Sequence, residues 1–254
     1  MTNSQEPQKR VHSGPLGQVQ PSFLGFLALY YNLAKPGIVY GNALVAAAGF
    51  LFAARGHIDW ILFLATLVGL SLVIGSACVF NNIYDIEIDA RMERTKSRAM
   101  VTGAVSRTSA TLYALVLGLA GEILLGFYTT PLALTAALAG FIIYVLFYTP
   151  LKSRTPWALF VGAAAGATPP MVGYLAVAGH LDVSAWVLFG GLYIWQLPHF
   201  MAIATYRWQE YTAAGVPLFI KRDPSPRAKR WGRMVFYASL IVLLLACAAL
   251  MLHR

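Results

Sequence analysis

The chain has 254 residues, 58% of them hydrophobic and 11% charged, with a mean hydropathy of +0.63, far above that of a soluble domain of this length. Those figures exclude a water-soluble enzyme or binding module and make the lipid bilayer the first expected partner. The formal net charge of +9 could suggest nucleic acid, but the bases lie between apolar runs and not on one soluble face, so no nucleic-acid partner is expected.

In chain order, residues 1–21 are polar with Gly and Pro, and read as a flexible tail. They lack an apolar stretch followed by a small-residue cleavage site, so no cleavable signal peptide is expected. Residues 22–254 read as one membrane domain. A hydrocarbon core of about 30 Å needs roughly 20 apolar residues in a helix, and runs near that length fall at 38–54, 60–80, 108–127, 131–149, 157–178, 184–205 and 232–252. The runs are continuously apolar without strand alternation, which predicts an all-α polytopic bundle of seven spans. The preceding FLGFLALYYNLAKPG extends the first run, with Lys35 and Pro36 breaking it. Trp60, Tyr128, Trp157 and Trp231 fall near run ends, where interfacial anchors belong. Cys78 and Cys247 both lie in apolar runs, so no disulfide framework is implied. With the N-terminus in the cytoplasm, that side collects every Lys and Arg except Arg55 and Arg254, as the positive-inside rule requires.

The second run ends in NNIYDIEIDARMERTKSR, Asn81 to Arg98. Asn81, Asp85 and Asp89 are spaced i, i+4, i+8, which on a continuing helix stacks three oxygen-bearing side chains on one face. Amide and carboxylate oxygens suit Mg²⁺, which fills its other positions with water and phosphate oxygens. Arg91, Arg94, Lys96 and Arg98 follow, and guanidinium forks match phosphate. Acid then base at a membrane surface reads as a cradle for a metal and a diphosphate. The plainer alternative is a solvated loop whose acids pair with its bases, and Asn81 and Asn82 weigh against it, because amides at a span end cost desolvation unless they face a polar cavity.

Between spans four and five, Tyr144, Tyr148, Lys152 and Arg154 gather at the cytoplasmic end, with Lys152 placed for phosphate. GAAAGATPP reads as close helix packing, and Pro169 with Pro170 as a break. Glu122 receives no role, and His57, His180 and His253 read as outer-surface residues. After span six, WQLPHFMAIATYRWQEYTAAGVPLFIKR supplies Gln196, His199, Arg207, Gln209, Glu210, Lys221 and Arg222. His199 has three readings: a ligand to a metal such as heme iron, a proton-transfer group, or a cap on a carbonyl freed by Pro198. Arg207 and Lys221 would meet phosphate from the side opposite the first loop, and Glu210 would help hold a second cation.

These residues resemble the UbiA superfamily of intramembrane prenyltransferases, and within it the heme O synthase branch. The matching pieces are LAKPGIVYGN at Leu33 to Asn42, the stretch Cys78 to Arg98, FYTPLKSRTPW at Phe147 to Trp157, ATPPMVGY at Ala167 to Tyr174, and the stretch Trp195 to Leu218. NxxxDxxxD is shared by the superfamily, whereas DxxMxRTxxR with WQxPHF and YxxAGVP points to the heme branch. The resemblance implies a helical bundle with a cytoplasm-facing cavity; the N-terminal tail is too weakly Arg-rich and Ser-rich for mitochondrial import, so a bacterial inner membrane is the expected location. The resemblance also implies transfer of farnesyl from farnesyl diphosphate to the vinyl group of heme b, with water addition giving heme O, and heme A synthase as the partner that receives it. Carried over residue by residue, Asn81, Asp85 and Asp89 hold Mg²⁺, Arg94, Arg98, Lys152 and Arg207 contact diphosphate, and His199 contacts heme. Lys96, Lys221 and Tyr148 complete the expected substrate wall. The rival functions are prenylation of a quinone-precursor aromatic acid, which the WQLPHF and AGVP matches disfavour, and a non-catalytic bundle that binds or transports heme. The chain departs from the family in carrying Glu210 where that branch often has Asp, and in counting seven spans where nine are usual, so the last two family spans are expected to be missing from it.

Overall fold

The computed structural model describes residues 22–252; the expected tail and His253 lie outside the described residues. The helices are α1 (Phe23–Leu33), α2 (Pro36–Ala54), α3 (Trp60–Tyr84), α4 (Ile86–Ala90), α5 (Arg107–Tyr128), α6 (Pro131–Ile142), α7 (Thr149–Leu151), α8 (Ala158–Gly166), α9 (Thr168–Ala178), α10 (Val183–Tyr206), α11 (Trp208–Ala213) and α12 (Pro226–Leu252). No strand occurs among the described residues. Seven segments are long and apolar enough to cross a membrane, as the run lengths predict.

Polar residues open several of the helices that follow the breaks between apolar runs. The side chains of Asp59, Ser106, Thr130 and Asp182 each accept a backbone N–H of the first turn that follows, satisfying donors that have no partner inside the helix. The break between α1 and α2 falls on Lys35, whose backbone is left-handed (φ 54°, ψ 66°), with Pro36 at the first helical position. Proline suits that place because its missing N–H would have no partner there anyway.

Span five is two helices joined at Ala167, where the sequence expects Pro169 and Pro170 to break it. Thr168 Oγ1 donates to the Ala165 carbonyl at 2.9 Å, taking an acceptor that a proline cannot serve. Span four holds a feature that the sequence does not announce, a π-helical segment at Ile143–Tyr148 between α6 and α7. Such a wide turn re-aims the side chains that follow it.

Close packing rests on small residues, since lipid gives helices no hydrophobic reason to associate. Where α2 crosses α9, a side chain at Gly49 would strike the Pro170 carbonyl, and one at Gly173 the Ala46 carbonyl. Phe50, Leu125, Val172 and Leu175 fill the core at the end away from the long loops. At the loop end, Leu33, Val79, Met100, Val105 and Ala114 make a second core. Between the two, the bundle is hollow.

Both long loops are ordered. The segment after α4 runs in successive turns that bury Met92, Thr95 and Met100, and Thr95 Oγ1 donates to the Asp89 carbonyl at 2.9 Å. The segment after α10 turns at Gly215, whose φ of +79° lies in the left-handed region that favours glycine. It is pinned by Trp208 Nε1 on the Ile220 carbonyl at 2.9 Å and by Lys229 on Asp223 at 2.6 Å.

Candidate active site

Asn81 sits in the last turn of α3, Asp85 at the joint with α4, and Asp89 in α4. The expected continuous helix is in fact two helices jointed at Asp85, but the backbone bonds run through: Asp85 N to Asn81 O at 3.0 Å and Asp89 N to Asp85 O at 2.8 Å. The three side chains therefore keep the shared face that their spacing predicts. All three are buried, at 2%, 3% and 3% exposure.

Each of the three meets one base. Lys35 Nζ donates to Asn81 Oδ1 at 2.5 Å, the Lys152 ammonium pairs with Asp85 Oδ2, and Arg98 Nη1 donates to Asp89 Oδ2 at 2.6 Å. Asn81 Nδ2 donates to Thr149 Oγ1 at 3.1 Å, and that hydroxyl donates to the Tyr144 carbonyl at 2.9 Å. One atom is left over: Asp85 Oδ1 is buried with no hydrogen-bond partner among the described residues. Burial pushes the Asp85 carboxyl above the usual range although Lys152 pulls it down, and burial lowers the Lys35 ammonium to about 8. A buried, unsatisfied carboxylate oxygen beside an amide and a second carboxylate is a donor set that suits a hard cation.

These groups line a cavity of about 350 Å³ together with Arg94 and Tyr148. A second cavity of about 380 Å³, walled by Val45, Leu70, Phe141, Leu192 and Leu243, reaches deeper into the bundle. Ile38, Tyr144, Tyr148 and Phe200 line both, so a polar chamber adjoins an oily one. The π-helical segment supplies the two tyrosines, whose rings lie 5.2 Å apart.

His199 is in the wall of the oily chamber. Its Nδ1 lies 2.8 Å from Ser239 Oγ, and that hydroxyl donates to the Phe236 carbonyl at 2.7 Å. The Ser239 proton is thus committed, which assigns the imidazole proton to Nδ1 and leaves a lone pair on Nε2. Trp195 stacks on the ring at 4.7 Å. Of the three readings from sequence, the carbonyl cap is not what the ring does, because its partner is a serine on α12.

Arg207 and Glu210 lie outside the cavity wall. Arg207 Nη1 holds both Glu210 oxygens at 3.0 and 3.2 Å, and Arg94 Nε lies 3.6 Å from the same carboxylate. The structure thus surrounds Glu210 with guanidinium groups, where the sequence sets it beside a second cation. Lys96 is exposed and pairs with Glu93 at 2.5 Å, and Lys221 is exposed; neither is brought to the wall.

Three contributors carry no site role in the sequence reading: Lys35, Thr149 and Asn82. Asn82 Nδ2 donates to the Leu33 carbonyl at 2.8 Å, tying α1 to α3. The signal for Lys35 is its place just before a proline at the mouth of an apolar run, a costly spot for an idle ammonium.

A family model described as UbiA prenyltransferase family matches residues 42–254. Protoheme IX farnesyltransferase of Marinomonas sp. (strain MWYL1) is 45% identical over 202 residues, covering 79% of this chain and 68% of the relative. The enzyme of the same name from Protochlamydia amoebophila (strain UWE25) is 47% identical over 189 residues, covering 74% and 67%. The chain thus spans about two thirds of the length of these curated relatives. Among solved structures, a UbiA homolog from Archaeoglobus fulgidus bound to GPP and Mg²⁺ superposes with a TM-score of 0.66 at 16% identity, over 89% of this chain and 78% of that one.

Proposed function

Because the chain belongs to the UbiA prenyltransferase family, we propose that it transfers the farnesyl group of farnesyl diphosphate to a vinyl group of heme b, with addition of water, to give heme O. The relatives named protoheme IX farnesyltransferase support the substrates. The observation that carries the reading is the pair of joined chambers: a base-lined NxxxDxxxD frame opens past Tyr144 and Tyr148 into an oily space where His199 waits. Forming a carbon–carbon bond between the farnesyl chain of a charged diphosphate, which leaves, and the vinyl group of a planar, apolar porphyrin needs such a pair of unlike compartments.

Asn81, Asp85 and Asp89 would hold Mg²⁺, with Asp85 Oδ1 as the ready ligand. When bound, the metal neutralises charge that develops on the departing diphosphate. Lys152, Arg98, Arg94 and Lys35 bind diphosphate oxygens and stabilise the same charge. The Tyr148 ring already lies 5.8 Å from the Lys152 ammonium, and ring faces at this junction stabilise an allylic cation in the same way. The oily walls keep bulk water from that cation until the vinyl carbon attacks it. His199 Nε2 holds the porphyrin through its iron. The site faces the cytoplasm from a bacterial inner membrane, and a heme A synthase takes the product.

The test is incubation of membranes containing the chain with heme b, farnesyl diphosphate and Mg²⁺, with product read by mass. Heme O from the parent and none from Asp85→Ala is the expected result. Prenylation of a hydroxybenzoate in place of heme would sink the assignment.

A further inference from the structure

The oily chamber contains an amide that the transfer step does not use. Gln196 precedes His199 by one turn on α10, is 6% exposed and lines the chamber. Two polar neighbours in the wall turn donors elsewhere: Asn42 Nδ2 gives one N–H to the Ile38 carbonyl at 2.8 Å, and Thr168 Oγ1 donates to the Ala165 carbonyl at 2.9 Å. The Gln196 amide makes no hydrogen bond to any described residue, and its atoms are absent from the fully enclosed unsatisfied groups, so they face the open space of the chamber. Gly166 makes room for it, since a Cβ there would stand 2.8 Å from the amide nitrogen. A buried amide with no protein partner is stable only if something in the cavity takes its hydrogen bonds, and in a chamber of this kind the smallest such group is one water.

We propose that Gln196 holds the water that completes the reaction, an inference that rests on the reading of the site as a heme farnesyltransferase. When the vinyl π pair forms the carbon–carbon bond to farnesyl, the positive charge moves to the vinyl carbon next to the porphyrin ring. That cation has two fates. A water oxygen can donate its lone pair to form the carbon–oxygen bond, losing one proton to the diphosphate released in the same turnover. Alternatively, the neighbouring CH₂ can lose a proton and leave an alkene. Gln196 Oε1 accepts one O–H of the water, which turns the oxygen lone pair toward the cation. The amide is too weak a base to take a proton from carbon, so it favours addition over elimination. The chamber thereby excludes bulk water while keeping the one molecule it needs.

The experiment compares parent chain and Gln196→Met in membranes under single-turnover conditions, and measures by mass the ratio of hydroxylated product to the alkene lighter by one water. This ratio does not depend on how much protein is folded. In Gln196→Met the alkene share should rise about tenfold or more, a change of roughly 1.4 kcal/mol between the two fates. If the parent makes heme O and Gln196→Met gives the same ratio, this proposal alone falls; if the parent makes no farnesylated heme, the functional reading falls and takes it along. Should Gln196→Met give no product, Gly166→Ala decides, because it displaces the amide without removing it: a raised alkene share supports the water site and an unchanged ratio overturns it.

Discussion

Lys35, Lys152 and Arg98 occupy, one each, the three side chains proposed to hold the metal. A cation arriving alone must displace them and leave three half-buried positive charges facing its own, which is costly in a site of lowered dielectric. A cation arriving with diphosphate gives the bases new anionic partners, so metal and diphosphate should bind cooperatively, each tightening the other by the same factor. Inorganic pyrophosphate should raise Mn²⁺ affinity about tenfold or more, within the usual range of such couplings, in a titration followed by electron paramagnetic resonance. Lys152→Met should tighten Mn²⁺ binding alone and shrink the coupling; equal Mn²⁺ affinity with and without pyrophosphate would rule the exchange out. The sequence displays Asn81, Asp85 and Asp89 because one helix carries them at a fixed period. Lys35 it does not display: its partner lies 46 residues away, and pairings across that distance leave no local pattern. For Glu210 only half of the surroundings is local: Arg207 is its i, i+3 neighbour, whereas Arg94 comes from the other long loop and leaves no local pattern.

Among the elements, spans and breaks were the most legible, because length, apolarity and proline each act locally. The joint at Asp85 and the π-helical segment were not, since IYVLFY has the composition of any membrane helix. That segment is held by Thr149, whose hydroxyl accepts from Asn81 Nδ2 and donates to the Tyr144 carbonyl, so one buried side chain links the metal frame to the tyrosines between the chambers. Thr149→Val keeps the shape and removes both side-chain bonds, leaving the buried Asn81 Nδ2 without its acceptor while the Tyr144 carbonyl keeps the backbone N–H of residue 149. We expect a loss of about 1–3 kcal/mol in stability, read as a lowered midpoint of thermal unfolding in detergent, and a fall in transfer activity larger than that of Thr149→Ser. If Thr149→Val melted and turned over like the parent, the link between frame and tyrosines would carry no weight.

Over the whole molecule, charge and chemistry point the same way. Every Lys and Arg among the described residues except Arg55 lies at the end of the bundle that holds the polar chamber, and by the positive-inside rule such an excess supports the proposed cytoplasmic placement of that end. The substrate demands that side too: the charged head of a diphosphate ester does not cross a hydrocarbon core at tolerable cost, so the chamber must open to the compartment that supplies it. Cys78 and Cys247 are both buried, which leaves little background for a thiol reagent. Two single-cysteine additions therefore test the orientation. Glu93→Cys sits on the exposed loop at the chamber end, and His180→Cys on the exposed turn at the other. A membrane-impermeant maleimide added to intact cells should label His180→Cys and spare Glu93→Cys, and inverted vesicles should reverse the pattern. Labelling of Glu93→Cys in intact cells would place the chamber outside, and would require a diphosphate source on that side of the membrane.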